Sequence, residues 1–266
     1  MHLVGMERRR PWAWAALAIV LLAPSGASAQ SDRHRLEWNP EHSRAGVARY
    51  IATGTLGVSA IVAEALYRPL APWSRWSAGG EERLAGMLED ENTRRRVRLA
   101  SSLLAFSATL QAQLIDPAFV VWAGDRNRDV AEEIYSINGL SVAATAFFAS
   151  LFTPTVRRPR PSYESCLVDP EYDRTCGEAD QVRSLVDDRL AIAFTSAALT
   201  CTHHANLPVY GARWADVSAC AGATALAATA GLLAFLADRQ HPSDVLAAAI
   251  VGIVSGFVLP TLIAYR

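Results

Sequence analysis

A short segment near the C-terminus, Arg239 to Leu246, combines residue types that can do chemistry. It holds an arginine, a histidine and an aspartate directly before an apolar run. A histidine oriented by a carboxylate can act as a nucleophile or a general base, and an arginine beside it can bind an anion. Each residue also has an ordinary structural use. Ser243-Asp244 before an apolar run is typical of a helix N-cap. A lone histidine such as His241 is often a capping or surface residue.

Two earlier segments, Thr153 to Pro161 and Phe194 to Ala198, complete a pattern with this one. In this order, the three segments resemble the signatures of the type 2 phosphatidic acid phosphatase and vanadium haloperoxidase superfamily. In that family the first signature supplies a lysine and an Arg-Pro that hold the phosphate. The second is a Pro-Ser-Gly-His at a helix start, and the third contains the nucleophilic histidine and an orienting aspartate. The resemblance spans residues 137–266 and implies an all-α helical bundle.

The resemblance assigns roles to individual residues. Arg160 and Ser196 are expected to bind phosphate, with Arg158 as a further candidate, and Asp244 keeps the place of the orienting aspartate. The other family positions hold residues that cannot perform their roles. They are Thr153 for the lysine, Ala197 for the close-approach glycine, Ala198 for the general acid, Ala234 for the second arginine and Gln240 for the nucleophile.

These departures predict a protein without catalysis. A glutamine amide cannot form a phospho-intermediate, so we expect a binding or structural role at the cell envelope, with a phosphorylated lipid as the candidate ligand. The resemblance implies no cofactor and no metal. The histidine that would bond vanadate is the family's nucleophile, whose position is held by Gln240.

Two alternatives stay open at the level of sequence. In the first, the chain is an active lipid phosphate phosphatase that uses His241 in a register shifted by one residue. Arg160, Ser196, His241 and Asp244 would then converge on one cavity. In the second, the chain is an unrelated helical membrane protein with accidental motif matches, and the three segments would lie far apart.

The elements that must position these residues are helices. Of the 266 residues, 51% are hydrophobic, which favours a helical protein that is deeply buried or bound to a membrane. About six apolar segments follow one another, and alanine, glycine, serine and threonine are frequent in several of them. They are Val47–Leu66, Leu99–Ala123, Ile137–Phe152, Leu190–His203, Val217–Ala237 and Val245–Ala264.

The N-terminus predicts export. Three arginines, an apolar run and Ala27-Ser28-Ala29 have the form of a secretory signal peptide, residues 1–29, with a retained membrane anchor as the alternative. Residues 30–136 are expected to form N-terminal helices, which pack in one bundle with the phosphatase-like core of residues 137–266.

Cysteines and charges give conflicting signals about location. Cys166 and Cys176 share one polar loop and are expected to form a disulfide, whereas Cys201 and Cys220 are expected to be unpaired core residues. Export and the disulfide predict a protein on the periplasmic side of the cell membrane or embedded in it, with this loop in the periplasm. The many arginines of the loop are instead typical of a cytoplasmic loop. The run Arg94 to Arg96 is expected to be a solvated loop face or a topology determinant. A net charge of -1 gives no reason to expect a nucleic-acid partner.

Overall fold

Helices make up the architecture in the computed structural model, which describes residues 36–66, 86–88, 90–156, 158–173, 176–177, 181 and 184–266. The all-α bundle predicted from the sequence is confirmed for these residues. The signal peptide assigned to residues 1–29 lies outside them. In chain order the helices are α1 (Val47–Leu66), α2 (Glu91–Leu110), the π-helix π1 (Gln111–Gly124), α3 (Arg128–Val156), α4 (Ser162–Val168), α5 (Asp188–Asn206), α6 (Arg213–Leu236), α7 (Pro242–Ile253), the π-helix π2 (Val254–Val258) and α8 (Leu259–Ile263).

Acidic side chains cap the starts of α2 and α5, and this sets where these two helices begin. Asp90 accepts a hydrogen bond from the Thr93 amide at 2.7 Å at the start of α2. Asp187 accepts one from the Leu190 amide at 3.1 Å at the start of α5. Such caps satisfy amides that have no partner inside the helix, so each helix begins at the polar residue and not at its first apolar one.

The helices run up and down between two ends of the bundle. We call the end where α3 and α6 stop and α5 and α7 begin the site end, and the end where α5 stops and α6 begins the far end. Arg35–Arg266 forms one compact unit, and α3 runs without a break through residues 136 and 137.

Small residues bring α5 and α7 into close contact. The core near the site end consists almost entirely of alanine, including Ala191 and Ala197. A Cβ placed on Gly252 would lie 2.5 Å from Phe194 Cβ and 2.7 Å from the Thr195 amide nitrogen. Real side chains do not approach so closely. Glycine is therefore needed at this position for the two helix backbones to pack as they do.

Four helical segments are long and apolar enough to cross a membrane: Glu91–Gly124, Arg128–Phe152, Arg213–Leu236 and Pro242–Ile263. Large apolar side chains on them are exposed, among them Phe106, Trp122, Leu232 and Phe257. Exposed apolar surface of this extent indicates membrane association.

Candidate functional site

Asp244 is the centre of a buried polar network at the site end. Its Oδ1 accepts a hydrogen bond from Arg158 Nη1 at 2.5 Å, and the same nitrogen donates to Ser243 Oγ at 2.7 Å. Its Oδ2 accepts from the His241 amide at 2.9 Å and from the Ser184 hydroxyl. The side chains of both members of the Arg158–Asp244 pair are at most 2% exposed. Asp244 therefore caps α7 and holds the loop before α5, and this accounts for both of its oxygens.

Gln240, at the position of the family nucleophile, is a cross-link between two chain segments. Its Nε2 donates to Asp187 Oδ2 at 2.9 Å, and its Oε1 lies 3.4 Å from the Ser184 hydroxyl. The side chain has no exposed surface. Because Asp187 also caps α5, Gln240 fastens the turn between α6 and α7 to the start of α5.

His241, the substitute nucleophile of the shifted register, is turned toward the loop before α4. Its Nε2 lies 3.2 Å from the Pro159 carbonyl oxygen, to which it donates, and the residue is 6% exposed. The convergence required by the shifted register is incomplete. His241, Asp244 and Arg158 lie together, and Arg160 lines the cleft at the same end of the bundle, but Ser196 lies within α5 and does not line that cleft.

The cleft at the site end has a volume of about 540 Å³. Its charged lining consists of Glu64, Arg160, Asp187, Asp188, Arg189 and Arg239. Apolar residues of α1, α3 and α5, such as Ile61, Ala149 and Ile192, line the rest. Arg160 is only 6% exposed, and Arg239 Nε lies 3.7 Å from Asp187 Oδ2. The charged part of the lining therefore consists of three arginines and three carboxylates.

Ser196 and Ala198 do not lie at a helix start, which is where the family signature has its serine and histidine. Both lie in the middle of α5, where Ser196 is fully buried. Ala198 faces π2, because a Cβ on Gly256 would come within 2.8 Å of Ala198 Cβ. The helix start in this part of the chain is at Asp187, where an Asp-Asp-Arg sequence precedes the apolar run. That N-cap signal was present in the sequence and could have identified Asp187.

The loop between α3 and α5 is folded over the site end. The Arg160 amide donates to the Gln181 carbonyl at 2.9 Å, and the Ser184 amide donates to the Arg158 carbonyl at 3.0 Å. A disulfide joins Cys166 to Cys176, the pair indicated by their shared loop. These bonds position Ser184 and Asp187. The sequence did not indicate a role for Ser184, whose partners are remote in the chain.

Arg94 was expected on a solvated loop, and this is wrong. It lies in the first turn of α2 and is 2% exposed. Its guanidinium carbon is 4.0 Å from the centre of the Tyr172 ring, and Nη2 donates to the Tyr172 carbonyl at 2.5 Å. The Tyr172 hydroxyl donates to Asp238 Oδ2 at 2.9 Å, and burial followed by this bond raises the pKa of Tyr172. Arg94 therefore anchors the disulfide loop to α2.

Cys201 and Cys220 were expected to be unpaired, and this is also wrong. They form a second disulfide, which ties α5 to α6 in the half of the bundle nearer the far end. The two cysteines lie on neighbouring antiparallel helices, a relation that the spacing of apolar segments does not reveal.

No protein-family model, curated protein or solved structure matches the chain. The resemblance to the phosphatase superfamily therefore rests on the three sequence segments. The structure brings the first and third of these segments together through Arg158 and Asp244.

Proposed function

We propose that this chain is a catalytically inactive, exported protein of the cell envelope that associates with the membrane and binds a phosphorylated lipid at the site end. The observation that carries the proposal is the state of Gln240. It occupies the place of the family nucleophile, has no exposed surface, and bonds to Asp187 across the site.

The loss of activity follows from the chemistry of this position. Removing the nucleophile of a covalent mechanism typically costs about a millionfold in turnover. A further loss of the general acid adds little, because such residues act as a unit. The position assigned to that acid is Ala198, which lies in the middle of α5, away from the start of this helix. It packs near Gly256 of π2.

The cleft supports binding. Arg160, Arg189 and Arg239 line one opening together with three carboxylates, and guanidinium groups bind phosphate oxygens through paired hydrogen bonds. Apolar residues of α1 and α3 line the same cleft, which suits a ligand that has both a phosphate and a hydrocarbon part. The disulfides support export, because such bonds persist in oxidising compartments.

Catalysis is tested by measuring phosphate release from phosphatidic acid and from undecaprenyl pyrophosphate with the purified protein. We expect no release above the rate without protein. The opposing hypothesis is an active phosphatase that uses His241. Turnover that is abolished by His241→Ala would establish that hypothesis and refute ours.

Binding is tested separately, by flotation of the protein with vesicles that contain phosphatidic acid or only phosphatidylcholine. Because a hydrogen bond to a charged group contributes about 1.5 to 3 kcal/mol, Arg160→Gln should weaken binding to phosphatidic acid by roughly tenfold or more. Arg213→Gln removes the same charge at the start of α6, at the far end, and should leave binding unchanged. Equal binding to both kinds of vesicle would refute recognition of the phosphate. Saturation of the site by inorganic phosphate alone, with no preference for vesicles, would refute the lipid.

A further inference from the structure

The interface between α3 and α5 contains polar side chains that face the interior of the bundle. Two contacts across it define how the antiparallel helices are aligned. Thr145 Oγ1 lies 2.7 Å from Thr195 Oγ1, and Asn138 Oδ1 lies 2.8 Å from His203 Nε2. Ser141 lies between Asn138 and Thr145 on α3. This alignment therefore places Ser141 opposite the part of α5 around Thr200.

Three hydroxyl groups at this interface are unusual. Ser141, Ser196 and Thr200 are fully buried, and no described residue lies within hydrogen-bonding range of their side-chain oxygens. The neighbouring hydroxyl groups do have hydrogen-bond partners. Thr145 Oγ1 donates to the Ser141 carbonyl, and Thr195 Oγ1 donates to the Ala191 carbonyl. A buried hydroxyl without a partner loses the hydrogen bonds that it made with water in the unfolded chain, which destabilises the fold.

We propose that ordered water molecules occupy the interface between α3 and α5 and bridge the hydroxyl groups of Ser141, Ser196 and Thr200. Ser196 and Thr200 are four positions apart on α5, so their Cβ atoms lie about 5 to 6 Å apart on one face of the helix. Both hydroxyls therefore project from the same side of α5, where one water molecule can bond to each of them at about 2.8 Å.

The chemistry of the interface selects water as the ligand. Buried water molecules are held by two to four polar partners, whereas cavities lined only by apolar atoms stay dry. The hydroxyls of the two helices provide such partners on both sides. This water site is separate from the proposed lipid site, because none of the three hydroxyl residues lines the cleft at the site end.

The sign of a stability change distinguishes a hydrated interface from a dry one. If water bridges the hydroxyls, Thr200→Val and Ser141→Ala remove a partner from a bound water and should lower the Tm. If the interface is dry, the same changes remove an unsatisfied group and should raise the Tm, which would overturn the proposal. Ser107→Ala is the matched control, because Ser107 donates to the Leu103 carbonyl of its own helix at 2.8 Å and should show a smaller shift.

A second measurement does not depend on how the variants fold. In the wild-type protein with labelled threonine methyl groups, nuclear Overhauser transfer from water to the Thr200 methyl is expected, and its absence would refute the proposal. Exchanging sodium for N-methylglucamine at constant ionic strength should leave the Tm unchanged. A Tm that rises with sodium in the wild type but not in Thr200→Val would identify a cation in place of water.

Discussion

Two adjacent histidines near the end of α5 have opposite surroundings. Both ring nitrogens of His204 face carboxylates, since Nδ1 lies 2.6 Å from Asp216 Oδ1 and Nε2 lies 3.3 Å from Asp116 Oδ2. A neutral imidazole can donate only one hydrogen bond, so this arrangement favours the doubly protonated cation. His203 instead meets uncharged partners. Its Nδ1 lies 2.6 Å from the Tyr265 hydroxyl, and its Nε2 lies 2.8 Å from Asn138 Oδ1.

These surroundings move the two pKa values in opposite directions. Burial acts to lower the pKa of His204, but the hydrogen bonds and charges of Asp116 and Asp216 together outweigh it, so the pKa is raised. Burial, together with the neighbouring charge of His204, lowers the pKa of His203 from 6.5 to about 3.

We predict that the free energy of unfolding has a maximum near pH 6.5. His204 stabilises the fold fully below its unfolded pKa of about 6.5, and this contribution is lost as the pH rises through its raised folded pKa. His203 contributes above about 6.5, and its contribution is lost as the pH falls toward its folded pKa. Each proton changes the stability by about 1.4 kcal/mol per pH unit, so His203 alone gives an acid-side loss on the order of 5 kcal/mol.

Urea unfolding in detergent micelles, followed by circular dichroism between about pH 4 and 9, measures this profile. His204→Gln should flatten the alkaline side and reduce the acid side only slightly, because burial is the larger cause of the lowered pKa of His203. His203→Gln should flatten the acid side and leave the alkaline side. A wild-type profile that stays flat from about pH 5 to 8, or variants that keep both slopes, would refute the assignment of opposite charge states.

Two further predictions concern the packing of α7 and the site. Gly252→Ala should lower the free energy of unfolding in urea by about 1 to 3 kcal/mol, because its Cβ would overlap Phe194 and Thr195. Gly222→Ala, with nothing within 4 Å of the added carbon, is the matched control, and an equal loss there would contradict the packing argument. Gln240→His should give no phosphate release from phosphatidic acid, because the side chain at this position has no exposed surface. Release by this variant would show that the site needs only its nucleophile.

The apolar runs of the sequence predicted where helices occur, but not always where they begin. The segment Val47–Leu66 has the bounds of α1, because its ends are apolar. The segment beginning at Leu99 starts too late, because α2 begins at Glu91 with a turn of charged residues. An arginine-rich turn looks solvated in sequence. The Tyr172 ring against which Arg94 packs comes from a loop far along the chain.

Sequence reasoning about the site succeeded where partners are close in the chain and failed where they are remote. The cap of α7 by Asp244 and the pairing of Cys166 with Cys176 involve short separations. The bonds of Gln240 and Asp244 to Asp187 and Ser184 join segments more than 50 positions apart. A motif comparison can show that Gln240 is not a nucleophile, but only the fold shows that it has a structural role.

Three arginines at the site end have structural roles that bear on the conflict between the charge and cysteine signals. Arg94 is held by Tyr172, Arg98 Nη1 donates to Asp173 Oδ1 at 2.9 Å, and Arg158 pairs with Asp244. These three arginines fasten a disulfide-closed loop to the bundle, so their positions have a structural reason apart from membrane topology. Arg95 and Arg96 on α2 are exposed. The two disulfides lie toward opposite ends of the bundle, and such bonds persist in oxidising compartments, which supports the proposed export of the chain.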